Sequence, residues 1–279
     1  MPLLSLANEL LQLIAEFLDT EEDINSYTQT NCRLYVLLNP YLYRHTIKHF
    51  GGSALLWAVK HGKGLAAAKL LELGSDMEST NTHGQTCLSL AAGLGHEELV
   101  KLLLARYNIC IDARDLNGQI SLSRAAEYGH ENIVNLLLAT GGVNPASIDV
   151  DGRTPLFFAA ERGHEAIVKV LLSTEGVNAN YKDNNGYTPL TLAAGSGHTE
   201  VVKMLLSIGN IDLNPDDYFH GRTPISWAAG RGCTDVVQML VATKGVSLEF
   251  EDHEGQTPLA LAVRYGHEAV AKILQSLRG

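Results

Sequence analysis

The residues with the greatest potential for chemistry are five histidines, each preceded by a glycine. Imidazole nitrogens bind transition metals and transfer protons near neutral pH. The five histidines occupy one equivalent position of successive sequence repeats, so they are spread along an axis and cannot converge on one ion. We therefore predict that each ring hydrogen-bonds neighbouring backbone and ties one repeat to the next. They are His96, His130, His164, His198 and His267.

Other chemical signatures are missing from the sequence. The four cysteines are scattered without a Cys-x-x-Cys pair, which indicates thiols in a reducing compartment rather than a disulfide framework or a zinc site. There is no Gly-x-Ser-x-Gly nucleophile elbow, no phosphate-binding P-loop, no His-Glu-x-x-His and no dinucleotide-binding glycine pattern. The sequence thus predicts a protein that is not an enzyme and has no cofactor or metal.

Charge and hydropathy disfavour two further classes of partner. The 279 residues include 21 basic and 31 acidic side chains, which give a formal net charge of −10. A protein surface that binds nucleic acid or an anionic membrane requires clustered Lys and Arg. No run of about 18 apolar residues could span a bilayer, and the N-terminus lacks the basic start of a signal peptide. We expect a soluble monomer in the cytoplasm and/or nucleus that binds neither nucleic acid nor membrane.

The positioning elements come from a repeat. A period within about 20–50 residues is typical of repeat arrays. In the unit of residues 152–185, Thr154 is placed to cap a helix, Pro155 suits its first turn and Gly163 suits its end. One such helix pair cannot hide its apolar faces alone, so neighbouring units must stack. The turn glycines Gly84, Gly118, Gly152, Gly186, Gly221 and Gly255 are spaced 34, 34, 34, 35 and 34 residues apart.

The repeated block Thr-Pro-Leu-x-x-Ala-Ala-x-x-Gly-His, followed by Val-Val or Ile-Val and Leu-Leu, resembles the ankyrin repeat. The resemblance covers about four-fifths of the chain. It implies an all-α solenoid of about seven helix-turn-helix repeats with β-hairpin-like tips, spanning residues 51–279. The repeats begin near residues 51, 84, 118, 152, 186, 221 and 255.

Residues 1–50 lie outside the repeat, and their apolar spacing predicts a small helical head. The segment LANELLQLIAEFLDTEEDINSYTQTNCRLYVLLNPYLYRH resembles an F-box, although Ala7 stands in the place of the usual proline. The resemblance implies docking to a Skp1-type ubiquitin-ligase adaptor, and the pairing with ankyrin repeats is similar to proteins common in filamentous fungi. The alternative is a helical cap that covers the first repeat. The adaptor-binding candidates are Leu6, Glu9, Leu10, Leu11, Ile14 and Leu18.

Two repeats depart from the pattern. In the third, Ile120-Ser121 replaces Thr-Pro, and Arg124 falls where other repeats have an apolar residue. A buried arginine is costly unless it is paired, so this departure indicates either local loosening or a functional pocket. The fifth repeat has one extra residue in its tip, which carries Tyr218 and Phe219 as a plausible contact point.

Stacked repeats present a long concave surface of tips and first helices, whose side chains are free to bind a partner. Arginines and tyrosines on this surface favour a protein segment with acidic and aromatic groups. The predicted partner-binding residues are Leu94, Glu127, Tyr128, Arg153, Glu161, Arg162, Tyr187, Tyr218, Phe219, Arg222, Arg231, Arg264 and Tyr265.

Three functions follow from these patterns. The first is a protein-interaction adaptor, in its strong form the substrate receptor of a ubiquitin ligase. The second is a non-catalytic scaffold or inhibitor with the head as a cap. The third is an enzyme acting on a small molecule in the groove, with Arg124, Glu127 and Tyr128 as candidate residues. A deep apolar pocket with convergent polar groups would favour the third function, and an open groove would count against it.

Overall fold

The computed structural model describes residues 52–107 and 109–277, which form fourteen helices in seven pairs and no strand longer than an isolated bridge. This confirms the predicted all-α repeat array. The predicted head and its six adaptor-binding candidates lie outside the described residues. The helices are α1 Ser53–Lys60, α2 Gly64–Glu72, α3 Cys87–Gly93, α4 Glu97–Leu104, α5 Ser121–Glu127, α6 Glu131–Thr140, α7 Pro155–Arg162, α8 Glu165–Leu172, α9 Pro189–Ser196, α10 Thr199–Leu206, α11 Pro224–Gly230, α12 Thr234–Ala242, α13 Pro258–Arg264 and α14 Glu268–Gln275.

The chain divides into two compact units. Of the described residues, the first comprises 52–91, 98–107 and 109–110, and the second comprises 92–97 and 111–277. Within the first unit, α1 packs against α2 and buries apolar side chains such as Leu55 and Leu70. Burial also raises the pKa of Cys87 to about 12, with a smaller contribution from nearby carboxylates. This thiol is therefore protonated and unreactive at neutral pH.

The second unit contains the complete helix pairs from α5 to α14. Each first helix (α5, α7, α9, α11 and α13) packs on the next, the second helices do the same, and the two helices of each pair also contact each other. The approach is close because the first helices α5, α7, α9 and α11 bury a pair of alanines, such as Ala159 and Ala160 in α7, completely. The apolar faces are thus hidden between neighbours, as the repeat pattern predicts.

The helix ends follow the sequence signals in part, because Thr223 before α11 and Thr154 before α7 make no capping bond with their side chains. Gly163 and Gly197 end α7 and α9 in the left-handed region, with φ of 75° and 79°, which a side chain would disfavour. Thr188 accepts a hydrogen bond from the Thr191 N–H and so caps α9. Thr154 occupies the same position before α7, but its side chain makes no capping bond. The capping role predicted for Thr154 is therefore wrong.

The tips between helix pairs are hairpin-like turns built around buried aspartates. In the tip that precedes α7, Asp149 Oδ1 accepts the N–H groups of Asp151 and Arg153 at 2.9 and 2.8 Å, and the Asp149 N–H donates to the Arg153 carbonyl. Asp115, Asp183 and Asp252 repeat this arrangement. Successive tips are joined by backbone bonds between neighbouring repeats, such as the Val150 N–H to the Asn117 carbonyl.

Four of the five predicted histidines tie one repeat to the next, and the bond predicted for His96 stays a prediction. Each of the four places Nε2 at 2.9–3.1 Å from a carbonyl oxygen at the end of the preceding first helix. That geometry assigns the proton to Nε2, which donates to the carbonyl. The rings lie over glycines: a Cβ at Gly163 would come within 2.5 Å of the His198 ring. The four are His130, His164, His198 and His267, and Cys233 takes the place of a fifth in the intervening repeat.

We predict that His198→Ala destabilises the chain more than Cys233→Ala. His198 bonds the Glu161 carbonyl at 2.9 Å, whereas Cys233 Sγ lies 3.8 Å from the Gly195 carbonyl. Loss of the histidine leaves a carbonyl without its donor, at a cost of about 1–3 kcal/mol, and loss of the weak thiol bond costs less. Urea unfolding followed by circular dichroism measures both. Equal shifts of the two midpoints would contradict the role assigned to the ring.

The third repeat keeps its helical geometry despite its unusual start. Ile120 has φ −94° and ψ 170°, close to the Thr154 values of −90° and 168°, so α5 begins as α7 does. Ser121 takes the position of proline, and its buried hydroxyl has no hydrogen-bond partner within the described part of the chain. The loosening considered from the sequence is therefore absent from the backbone of α5.

Ser121→Pro is expected to stabilise the protein. Ile120 already has the extended conformation required before proline, and the change removes an unsatisfied buried hydroxyl while restricting the unfolded chain by about 0.4–1 kcal/mol. Thermal unfolding should show a higher Tm than wild type. Ser121→Ala is the control because it removes only the hydroxyl. A Tm for Ser121→Pro below that of Ser121→Ala would show that the ring does not fit.

Candidate functional site

The predicted partner-binding residues lie at the tips or at the ends of first helices, and they differ in exposure. We call the tips and the exposed side chains of α5, α7, α9, α11 and α13 the groove face; it belongs to the second unit. Among the predicted residues, Arg222 is buried. Half-buried are Glu127, Arg153, Glu161 and Tyr187; exposed are Leu94, Tyr128, Arg162, Tyr218, Phe219, Arg231, Arg264 and Tyr265.

Arg222 belongs to a buried network that holds two tips together. Its Nε donates to Asp252 Oδ2 at 2.9 Å, and its guanidinium lies 5.3 Å from the centre of the Trp227 ring. Asp217 Oδ2 accepts the Trp227 Nε1–H and the Arg222 N–H, both at 3.0 Å. Arg222 thus contacts the protein itself rather than solvent. Sequence reasoning missed Asp217, Asp252 and Trp227, although the aspartate recurs before every tip glycine from Gly118 to Gly255.

Trp227 is the centre of an aromatic and cationic cluster. Its ring meets Tyr187 edge-on with centroids 5.9 Å apart, and His220 at 5.3 Å in the same manner. Arg231, one turn further along, lies 5.2 Å from the ring centre and donates from Nη1 to the Gly195 carbonyl at 3.2 Å. Both interactions orient the Arg231 side chain before any partner binds.

A partly open depression of about 200 Å³ lies beside this cluster. Burial, together with Asp217 and Asp183, raises the pKa of Tyr187, so its phenol is a neutral donor near neutral pH. The volume falls below the roughly 300–1,000 Å³ typical of small-molecule sites and suits the end of one or two side chains. The depression is lined by Glu161, Tyr187, Thr191, Leu192, Gly195, Ser196, Trp227 and Arg231.

The structure brings Arg124, Glu127 and Tyr128 together at the C-terminal end of α5, where Gln119 and the Tyr128 ring engage their polar groups. Arg124 Nη1 donates to Gln119 Oε1 at 3.3 Å and the guanidinium lies 5.1 Å from the Tyr128 ring centre. Gln119 Nε2 in turn donates to Glu127 Oε2 at 3.2 Å. The amide of Gln119 therefore links Arg124 to Glu127, although the buried Arg124 Nε has no hydrogen-bond partner among the described residues.

The remaining arginines of the set are paired with carboxylates. Arg153 bonds Asp149 and Asp151, and Arg264 Nη1 lies 2.7 Å from Glu254 Oε2. Arg162 lies 3.7 Å from Glu127 Oε1. These pairs neutralise most of the positive charge that the sequence placed on the groove face.

The enlarged tip presents two exposed aromatic side chains. Tyr218 and Phe219 are 60% and 69% exposed. Tyr218 rests on the backbone of Gly186, where a Cβ would come within 2.8 Å of the ring, and Lys182 Nζ lies 5.4 Å from the ring centre. Phe219 is held by its N–H, which donates to Asp217 Oδ1. The extra residue thus yields an ordered aromatic tip next to Trp227.

We predict that Asp252→Asn destabilises the array at neutral pH and that the loss shrinks in acid. Although burial raises the pKa of Asp252, hydrogen bonds from the Gln256 N–H and the Arg222 side chain outweigh it and lower the pKa below 3.8. The stabilisation is thus present above that pH and is lost as pH falls through the folded pKa. Removing a charge from a buried pair costs about 3 kcal/mol.

Urea midpoints at pH 7 and pH 3 check this prediction. Asp149→Asn is the matched control, because its partner Arg153 is about 30% exposed whereas Arg222 is about 9% exposed. At pH 7, Asp149→Asn should lower the urea midpoint less than Asp252→Asn does. A deficit for Asp252→Asn that is the same at both pH values would contradict the ionic origin.

Comparison with known proteins gives one family. The profile of ankyrin repeats (three copies) matches residues 55–149, 122–217 and 211–278, and no catalytic domain is detected. No curated protein matches the chain. None of the described helices is long and apolar enough to cross a membrane, and no three acidic, His or Cys side chains among the described residues are placed to hold a metal ion. The repeat matches cover most of the sequence, and the chain belongs to the ankyrin repeat family.

Proposed function

We propose that the chain is a non-catalytic interaction adaptor whose groove face binds a segment of a partner protein. Ankyrin repeats generally bind protein partners. The observation that carries the proposal is the exposed aromatic pair Tyr218 and Phe219, in a tip that contacts Trp227 of the depression through Asp217 and His220. Exposed, ordered aromatic side chains next to a recess for a side chain are typical of binding anchors.

The size and openness of the depression support binding rather than catalysis. Its volume of about 200 Å³ suits a side chain of a partner. The residues considered for an enzyme, Arg124 and Glu127, are engaged with Gln119. A mixed surface of aromatic and charged groups favours a protein segment, and the groove face carries no excess of positive charge for nucleic acid.

We further propose that the head delivers what the groove face holds to a Skp1-type adaptor, so that the chain is a substrate receptor of a ubiquitin ligase. The basis is the F-box resemblance of residues 1–50. The alternative is a scaffold or inhibitor, in which the head only caps the array. In either case we propose a monomer in the cytoplasm or nucleus.

Replacing three exposed aromatic residues of the groove face should remove partner binding. Tyr128, Phe219 and Tyr265 are about half exposed or more, so alanine at all three leaves the core intact. Tyr107→Ala is the control, since Tyr107 is 94% exposed and lies in the first unit. Full-length wild type, triple variant and control are immobilised, and the proteins that bind from native lysate are quantified by mass spectrometry.

We expect that some proteins are retained by wild type and by Tyr107→Ala but are lost by the triple variant. If all three chains retain the same proteins, the groove face is not the binding surface.

The adaptor link is tested on full-length chains with purified adaptor. The double variant Leu10→Ala with Ile14→Ala should abolish retention of the adaptor, and Ala7→Pro should increase it. Failure of wild type and Ala7→Pro alike to retain the adaptor would leave the head as a cap.

A further inference from the structure

The depression beside Trp227 contains one group of each charge without a counter-ion from the protein. Arg231 bonds the carbonyl of Gly195, not a carboxylate, so most of its five N–H donors remain available. Glu161 is also among the residues that line the depression; its backbone carbonyl accepts from His198, and its carboxylate has no hydrogen bond or ion pair among the described residues. The neighbouring arginines Arg153, Arg222 and Arg264 all have carboxylate partners.

We infer that this depression is an anchor for a partner segment that carries two opposite charges close together. A carboxylate of the segment binds Arg231, and a basic side chain of the same segment binds Glu161. The inference rests on the proposed function, because it names the chemistry that the groove face selects.

The arrangement discriminates against segments with a single charge. A lone carboxylate at Arg231 is repelled by Glu161, and a lone ammonium at Glu161 is repelled by Arg231, since both residues line the same small space. A segment with both charges satisfies both groups. Because each unpaired charge loses part of its hydration when a partner covers it, the wrong ligand leaves a charge without compensation.

The rest of the depression fits the same ligand. The Arg231 guanidinium is held over the Trp227 ring and by the Gly195 carbonyl, so little side-chain entropy is lost when a carboxylate binds. The planar guanidinium matches the two oxygens of a carboxylate. The aromatic edges of Tyr187 and Trp227 line the depression and offer an apolar surface for the aliphatic stem of a lysine or arginine.

The order of the two charges fixes the direction of the segment along the groove face. Glu161 lies at the end of α7, and Arg231 follows α11 two repeats later. A segment with the charges exchanged would place like charges together in the same orientation. The two charged residues therefore determine the orientation of the bound segment as well as which segments bind, as charged contacts at an interface rim commonly do.

A random 12-residue peptide library displayed on phage, selected against the full-length chain, tests the inference. Selected peptides are synthesised with a fluorophore and their Kd is measured by anisotropy. We expect an acidic and a basic residue within a few positions of each other. Neutralising either in the peptide should weaken binding to the wild-type chain about tenfold or more. This arm needs no protein variant, so it does not depend on variant folding.

On the protein side, Arg231→Ala and Glu161→Gln should each weaken binding by a similar factor. Lys203→Ala is the control: Lys203 lies on α10, a second helix outside the predicted partner-binding set, its side chain is about 65% exposed and it is paired with Glu200. It should change Kd less than twofold. The exchanged variant, Arg231→Glu with Glu161→Arg, should prefer peptides in which the two charges are also exchanged.

The outcomes separate the two proposals. Peptides that bind wild type, fail to bind Phe219→Ala, and are indifferent to Arg231, Glu161 and their own charges would overturn the inference while supporting the proposed function. If no peptide is selected on the full-length chain, both are overturned. Peptides whose binding depends on a single charge would also overturn the inference, because only one of Arg231 and Glu161 would then contribute to recognition.

Discussion

Close stacking of the first helices is the constraint on which the rest of this structure depends. The helices approach because paired alanines, such as Ala193 and Ala194 in α9, are completely buried between neighbours. At that separation, the carbonyls at the helix ends and the tip backbones also lose water, so each needs a partner from the protein. His198 supplies one such partner and Asp183 another. The repeated motif is therefore a set of small side chains for approach and polar side chains for the groups that the approach buries.

The same constraint determines which side chains are free to bind. Residues within the first helices are committed to the stack, so variation is confined to the tips and to the last turn of each first helix. Arg222 and Arg231 show the difference. Arg222, directly after a tip glycine, turns inward to Asp252, while Arg231, just beyond the end of α11, remains exposed beside Trp227. Two arginines that the sequence assigned to one binding surface thus differ: Arg222 holds two tips together, and Arg231 is exposed without a carboxylate partner.

Much of the fold followed from the residues alone. The glycine spacing, the Thr-Pro helix starts and the Gly-His segments predicted seven helix pairs and the histidine bonds, because these signals are local and repeat at one period. The capping role of Thr154 was predicted wrongly, since it depends on a side-chain rotamer that local sequence does not determine. The effect of Arg124 was also open from sequence, because Gln119, which accepts one of its N–H groups, is brought to it only when the tip folds beside α5.

For the candidate site, the sequence identified the candidate residues but not which of them lie together or which have a counter-ion. It placed Glu161, Tyr187 and Arg231 on one surface, since each stands at a variable position of the repeat. It could not show that they line one depression, because repeats 34 or 35 residues apart in the chain become neighbours only through stacking. By itself the sequence determined the repeat, the helix pairs and the surface, all of which arise from short-range patterns. Only the tertiary structure decided which charges are neutralised within the protein and which remain without a counter-ion, because ion pairing depends on distances between side chains from different repeats.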